Sequence, residues 1–572
     1  MMLFSKPDIV LLHPPSVYDF RHITTVPSPI SDLVPSTPVF EMYPIGFTFL
    51  GEYLERNGIN TRVINLAQRM LDDRKFDVPK LISKLHPTAF GIDLHWLTHV
   101  QGSLEIARII KEHHHETPVI MGGYSATYFH RELLRYPYVD LVLRGDSTEE
   151  PLRMLMERIA TGESLDDIPN LTYRVPDGQI IENPLSYCPA GLEYLGNNYK
   201  YMIRSAVKYG DWKSLRAFWN WWDYPITMIL TCRGCTQDCS FCGGSRSAIA
   251  GYCRREQMAF RTPEKIAYDV ELLSSFSTAP IFLLGDIMQG GRDYALEILE
   301  LISHLDPPNH LVLELFNPAP REFFDRVASS LRHFNFQVSP ESHDESVRHS
   351  INKIYSNDDL ERNIGWALEA GCEKFDVFFM IGLPGQDKDS VMKTVEYCGQ
   401  LVRKFGPRVN PSIGPLAPFI DPECDIYKDP DSYGYHIIHK SLDEIVNSYP
   451  SPHWRDLLGY ETKWMNRQDI VDVTYEALLA LNSIKAKSGL ISPEHANLND
   501  RRLRDTVSLL KMVDDVLRLE DARLQEVEMQ KIAEEALQLA GQLYLPKEEL
   551  TWPIVGSRFK RVNIFRILMG WI

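Results

Sequence analysis

The 572 residues predict an α/β protein with two successive parallel sheets and a helical end. Three observations lead there. Apolar runs of strand length alternate with amphipathic stretches five times between residues 9 and 160, six more such runs recur between 226 and 413, and beyond residue 468 the apolar spacing is helical only. Alternation of this kind means parallel sheets, because two parallel strands need a crossover of a dozen or more residues, usually a helix. A chain this long exceeds one core. Four segments are expected: 1–190, an aromatic-rich linker at 191–226, 227–430 and 431–572.

In the first segment the strand and helix pairs are 9–13 with 45–57, 61–66 with 78–85, 89–94 with 103–115, 118–121 with 126–135, and 139–143 with 147–160. They predict a doubly wound sheet whose ligand lies beyond the carboxyl ends of the strands. At those ends stand His13-Pro14-Pro15-Ser16, Gly122-Gly123-Tyr124-Ser125 and Arg144-Gly145-Asp146-Ser147. Glycines there let backbone amides approach a ligand, and helix N-termini favour phosphate. A generic nucleotide-binding or flavodoxin-like domain fits these residues equally.

Residues 199–224 are dense in aromatics, with Lys200, Arg204, Lys208, Lys213 and Arg216 interleaved. The mixture suits a membrane interface or packing between two domains. After it comes an apolar run, 226–230, and then Cys235, Cys239 and Cys242 in a CxxxCxxC triplet. Three thiolates on one short loop can hold three corners of a cubane iron–sulfur cluster and leave the fourth iron open. Zinc is the competing reading, with Cys232 as fourth ligand, but zinc sites space their two cysteine pairs much further apart.

The next strands are expected at 280–284, 310–315, 334–338, 375–381 and 409–413. Helices follow at 468–487, 500–519 and 526–543, a bundle expected to cover the open side of the second sheet. Tyr460 begins this region and is expected to reach the pocket. The tail 558–572 alternates basic and apolar residues, a second candidate membrane-surface element beside the more ordinary docked helix.

The triplet, placed directly after an apolar run, resembles the radical S-adenosylmethionine (radical SAM) enzymes. The resemblance implies a partial (β/α)6 barrel and a 4Fe-4S cluster on Cys235, Cys239 and Cys242. It also implies S-adenosylmethionine on the open iron, cleaved to a 5'-deoxyadenosyl radical by an electron from a donor such as ferredoxin or flavodoxin. Phe241 matches the aromatic before the last cluster cysteine. Leu284-Gly285-Asp286 falls where the family contacts the methionine amino group, Ser339-Pro340-Glu341-Ser342 near the ribose and carboxylate, and Gly382-Leu383-Pro384-Gly385 beside the adenine. Arg261 is a candidate partner for a carboxylate.

Placed before such a triplet, the first segment resembles the cobalamin-binding domain that a large class fuses to it. Pro14, Ser16, Gly122, Gly123, Ser125 and Gly145 are then the cofactor-binding candidates, the glycine pair at the nucleotide tail. The Asp-x-His-x-x-Gly loop of many cobalamin domains is absent after the first strand. Its absence implies a displaced dimethylbenzimidazole and a lower face without that histidine; His95 and His99, just past the third strand, are the nearest others. The strings Cys232-Arg233-Gly234-Cys235 and Ser339-Pro340-Glu341-Ser342-His343-Asp344-Glu345 look like a subfamily of archaea and anaerobic bacteria whose substrate is unassigned.

The expected activity is methylation of an unactivated carbon on a small-molecule or lipid-like substrate. Alternatives are a radical carbon-skeleton or ring-forming reaction and a non-catalytic cobalamin or redox sensor. A methylthiotransferase is disfavoured because residues 1–187 contain no cysteine for a second cluster. A net charge of -17 argues against a nucleic-acid partner. Clustered thiolates need a reducing compartment, and with no apolar leader at the N-terminus a cytoplasmic location is expected, with peripheral membrane contact through the two basic and apolar stretches.

Overall fold

The computed structural model describes residues 6–24, 26, 28–29, 39–42, 44–216, 218–219, 221–416, 420–539 and 552. Strands β1 (Ile9–His13), β2 (Thr61–Asn65), β3 (Ala89–Asp93), β4 (Val119–Gly122) and β5 (Leu141–Leu143) are parallel, in the order β2-β1-β3-β4-β5. Their side chains divide with period two. Val10, Leu12, Phe90, Ile92, Val119 and Met121 join one core with the helix Val100–His113, while Ile9, Leu11, Ala89, Ile120 and Leu141 join another with Leu54, Leu152 and Leu155. Burial on both faces is why these strands read as unbroken apolar runs. The order reverses between β1 and β3, which makes their carboxyl ends the crevice of the sheet.

Two strands were not foreseen. β6 (Leu171–Arg174) and β7 (Ile180–Glu182) extend the sheet antiparallel beyond β5. Both are short and β7 is half exposed, so periodicity is weak there. The Pro176-Asp177-Gly178 turn between them was the available signal.

The second sheet holds β8 (Thr227–Leu230), β11 (Ile281–Leu284), β12 (Leu311–Leu315), β13 (Phe334–Glu341), β14 (Phe375–Ile381) and β15 (Val409–Pro415), with a small antiparallel pair, β9 (Cys232–Arg233) and β10 (Ala259–Phe260), beside it. All six are parallel in the order β15-β14-β13-β12-β11-β8, so β8 and β15 are free edges and the barrel is partial.

Of the closing helices, Arg467–Lys487 packs on the helix Lys388–Phe405 and on β15, and Lys485 Nζ donates to Asn410 Oδ1 at 3.0 Å. A capping box, Asn466 with Asp469, sets where it starts. The helix Leu442–Ser448 does something else: Leu442 and Ile445 enter the core of the first sheet, and Glu132 accepts from the Leu442 amide. The tail 558–572 lies outside the described residues. In the linker, Phe218 and Trp221 are buried against Ala279, while Lys208 pairs with Glu55 and both Lys213 and Arg216 with Asp72. Most of the stretch is therefore packing between sheets; Trp212 and Trp222 stay about half exposed.

Candidate active site

The chain leaves β8, pairs Cys232 and Arg233 with β10, and enters the cysteine loop. Cys239 O accepts from the Cys242 amide at 3.1 Å, and the Gln237 and Gly244 amides point at the Cys235 and Cys242 sulfurs, each at 3.3 Å. Amides aimed at sulfur stabilise negative charge there. Burial otherwise pushes the Cys235 thiol up to about 12 and Cys242 higher still, so thiolates here call for a cationic group. A tetrahedral zinc would need sulfurs about 3.8 Å apart. Among the described residues, the group of three ligand atoms converging within 4.8 Å is His310, His333 and Glu373, not the cysteines. The wider corners of a cubane fit the loop better.

Phe241 packs against Val347, Ile351 and Leu383, which brings it to the loop after β14. That loop is pinned. The Gly382 and Leu383 amides donate to Gln386 Oε1 at 2.8 and 3.2 Å, and the Tyr435 hydroxyl donates to Gly382 O. Gly382 adopts a φ of 98°, and a side chain there would meet the Tyr460 hydroxyl at 3.0 Å. Tyr460 thus supports the loop from a fully buried position; Pro384 follows, also buried.

At the end of β13 the register shifts between Val338 and Glu341, and Glu341 takes a φ of 66°. Strain of about 1–3 kcal/mol at a non-glycine residue is tolerated where the surroundings over-determine it. Lys353 Nζ lies 2.7 Å from Glu341 Oε1 and also donates to Ser339 O. Burial opposes the Lys353 charge most strongly, but Glu341, Tyr355 and Cys239 around it together hold the ammonium. Glu341 Oε2 is buried and has no hydrogen-bond partner among the described residues, although Glu341 does not itself line the cavity described below.

Asp286 does not face the cavity. Its carboxylate accepts from the Met288 and Phe316 amides at 2.9 and 3.0 Å, capping a short helical turn, and burial pushes it up to about 6. Gly285 does line the cavity, at φ 95°, where a side chain would meet Cys232 Sγ at 3.0 Å. The acid that lines the cavity beside Gly285 is Glu314, missed in the sequence although it interrupts the apolar strand LVLEL. It accepts from Gln337 Nε2 and the Gly285 amide at 3.2 and 3.3 Å, and burial pushes it up to about 7. Arg261 is buried on Asp269 at 2.6 Å and is not a free cation.

A cavity of about 660 Å³ runs from Cys235, Cys242, Gly285 and Glu314 into the first domain, beneath Phe47, Leu50 and Leu152, to Ile9, Leu11 and Ile120. Gly122, Gly123 and Gly145 line it. A side chain at Gly122 would meet nothing nearer than Leu143 O at 3.6 Å, so the space beside it is open. Gly123 has a packing role as well: at φ 115°, its missing side chain makes room for the His95 backbone at 2.6 Å. Pro14, Ser16 and Ser125 are buried but do not line the cavity. The first two lie under the helix Val100–His113, whose Gly102 would clash with Pro15 O if it carried a side chain, and Ser125 donates to His95 O. The loop after β5 both lines the cavity, through Gly145, Asp146 and Glu149, and binds the second domain: Asp146 pairs with Arg255, and Ser147 and Glu149 with Arg233. The residues present fit both groups, three sulfurs for a cluster and an apolar chamber with a glycine wall for a bulky cofactor.

Two parallel sheets sharing one cavity, with a cysteine loop at the mouth of the second, define the class. Residues 33–153 match the B12 binding domain and residues 229–398 the radical SAM superfamily. Hopanoid C-3 methylase of Methylococcus capsulatus is 26% identical over 273 residues, 47% of this chain and 47% of that protein. Cytidylyl-2-hydroxyethylphosphonate methyltransferase of Streptomyces wedmorensis is 25% identical over 270 residues, 41% of this chain and 47% of that protein. The chain thus matches about half the length of these curated relatives. TsrM from Kitasatospora setae, solved with cobalamin and a [4Fe-4S] cluster bound, aligns with a TM-score of 0.57 at 16% identity, covering 94% of this chain and 100% of that one. OxsB with aqua-cobalamin and S-adenosylmethionine bound aligns at 0.55 and 12% identity, covering 99% and 79%. At such identities the structures establish the shared fold. The chain combines a B12-binding and a radical SAM domain and is homologous to the cobalamin-dependent radical SAM methylases.

Proposed function

We propose that this protein is a cobalamin-dependent radical SAM methyltransferase acting on carbon. One observation carries the reading: a single cavity lined both by cluster cysteines and by the open glycine of the B12-binding domain. When bound, the cluster and S-adenosylmethionine supply the radical that removes a hydrogen atom, and cobalamin supplies the methyl group. The chain's own residues do the rest. Cys235, Cys239 and Cys242 hold the cluster, with the Gln237 and Gly244 amides offsetting sulfur charge. Lys353 offers a buried cation and Glu341 an unpaired carboxylate oxygen on the same rim, a match for the carboxylate and ribose of S-adenosylmethionine. Gly285 and Glu314 present an acceptor for an ammonium group, the role the sequence had placed on Asp286. Phe241, with Leu383, forms an apolar shelf for adenine.

Met228, Leu230, Leu284 and Phe316 wall the mouth of the barrel with apolar side chains. These walls favour an apolar, lipid-like substrate over a charged metabolite; the hopanoid methylase among the relatives is in keeping with this. Anaerobically reconstituted full chain, given a reduced ferredoxin or flavodoxin and S-adenosylmethionine bearing a deuterated methyl group, should add that methyl to an isoprenoid or hopanoid-type lipid, read by mass spectrometry. Cys235→Ala, Cys239→Ala and Cys242→Ala should each lose iron, sulfide and S-adenosylmethionine cleavage, while Cys232→Ala keeps the cluster. Cleavage without methyl transfer to any tested substrate would move the assignment to the non-methylating radical reactions.

A further inference from the structure

Three histidines stand where β1 and β3 diverge, and their surroundings separate them. His13 is buried with Nδ1 on Asp93 Oδ1 at 2.9 Å and Nε2 on Phe40 O at 3.2 Å. His99 is buried with Nε2 on Phe40 O at 2.8 Å and its ring edge-on to His13 at 4.7 Å. Both are committed to the protein. His95 is different. It lies two residues past the end of β3, a central strand, its backbone wedged against Gly123 and its ring on Tyr124 at 4.8 Å. The residue lines the cavity, and its ring nitrogens have no hydrogen-bond partner among the described residues.

Resting on the cobalamin reading above, we propose that the His95 imidazole is the cobalt ligand on the corrin face that looks toward the first sheet. A corrin received at the switch point would lie over the carboxyl ends of β1, β3 and β4, and His95 is the uncommitted nitrogen donor among those three histidines. A second observation supports the ligand role. Metal-binding histidines almost always donate their other N–H to a carboxylate or carbonyl, and Asp93, two residues before His95, keeps Oδ2 buried and unpartnered at the cavity wall. The Asp93-Leu94-His95 order thus supplies on β3 an acid and a histidine at the spacing that the loop after β1 lacks.

The test is electron paramagnetic resonance of the full chain loaded anaerobically with hydroxocobalamin and reduced to cob(II)alamin. Axial nitrogen splits each cobalt line into three for ¹⁴N and two for ¹⁵N. We expect a three-line pattern that becomes two-line when the protein alone carries ¹⁵N-histidine, which separates a protein imidazole from the cofactor's own base. His95→Ala should keep bound cobalamin but lose the splitting; His95→Gln, closer in volume, serves if the alanine variant fails to fold. Absence of splitting in the wild type, splitting that ignores the histidine label, or splitting that persists in both variants would each overturn the ligand assignment alone. A wild-type chain that retains no cobalamin would overturn the proposed function and the ligand with it.

Discussion

Glu314 shows how a single residue escapes sequence reading and still leaves a measurable trace. Burial raises its folded-state pKa from 4.5 to about 7, so the folded protein holds the proton more tightly than the unfolded chain. The resulting stability is fully present below about pH 4.5 and is lost as pH rises toward 7, by about 3 kcal/mol. Asp286, raised to about 6, acts in the same direction over a lower window. In the cofactor-free chain, Glu314→Gln should therefore flatten the fall of the unfolding midpoint between about pH 6 and 7 and leave, between about pH 4 and 6, the share that Asp286 contributes. A variant whose midpoint declines as steeply as wild type would mean that the carboxyl is hydrated. The cysteine triplet was legible because its chemistry needs adjacent spacing. Glu314, Lys353 and Gln386 were not, because each gains its role from a partner on another strand or loop.

Among the elements, strands and loops differ in how far they can be read. The five parallel strands of the first domain and six of the second lie within a few residues of expectation, since burial on both faces leaves an apolar run that no other element explains. Loops after strands were placed correctly but their uses were divided differently. Gly122 and Gly123 are adjacent, yet one faces open cavity and the other faces the His95 backbone at φ 115°. Gly123→Ala should destabilise the first domain by at least 1 kcal/mol through strain and overlap, lowering the thermal midpoint. Gly122→Leu should fold with an unchanged midpoint and lose cobalamin retention, read by absorbance after gel filtration. Equal midpoints for the two variants would remove the distinction.

On the scale of the molecule, the first domain is held to the second by Arg233 with Glu149 and Ser147, and by Arg255 with Asp146, all buried. Removing one member of a buried pair leaves an uncompensated charge and costs about 3–5 kcal/mol. Arg255→Ala should lower the unfolding midpoint and expose the segment around residue 190 to protease, whereas replacing Arg255 and Asp146 together by Met and Leu should restore much of the loss. If both variants behave as wild type, the domains are held by apolar packing alone. No helix among the described residues is long and apolar enough to cross a membrane, and the linker's paired basic side chains weaken the case for a lipid-binding surface there. By itself the sequence determined the two parallel sheets and the cysteine triplet, because hydrophobic period and cysteine spacing are local and survive without a fold, and its resemblance to known families supplied the B12-binding and radical SAM pairing. Only the tertiary structure decided that Asp146 and Ser147 join the domains while Arg144 pairs with Glu182 inside the first, that Asp286 caps a turn while Glu314 faces the cavity, and that His95 alone of three histidines is uncommitted. Those are questions of which groups meet across the chain, and burial and pairing are set by partners far away in sequence.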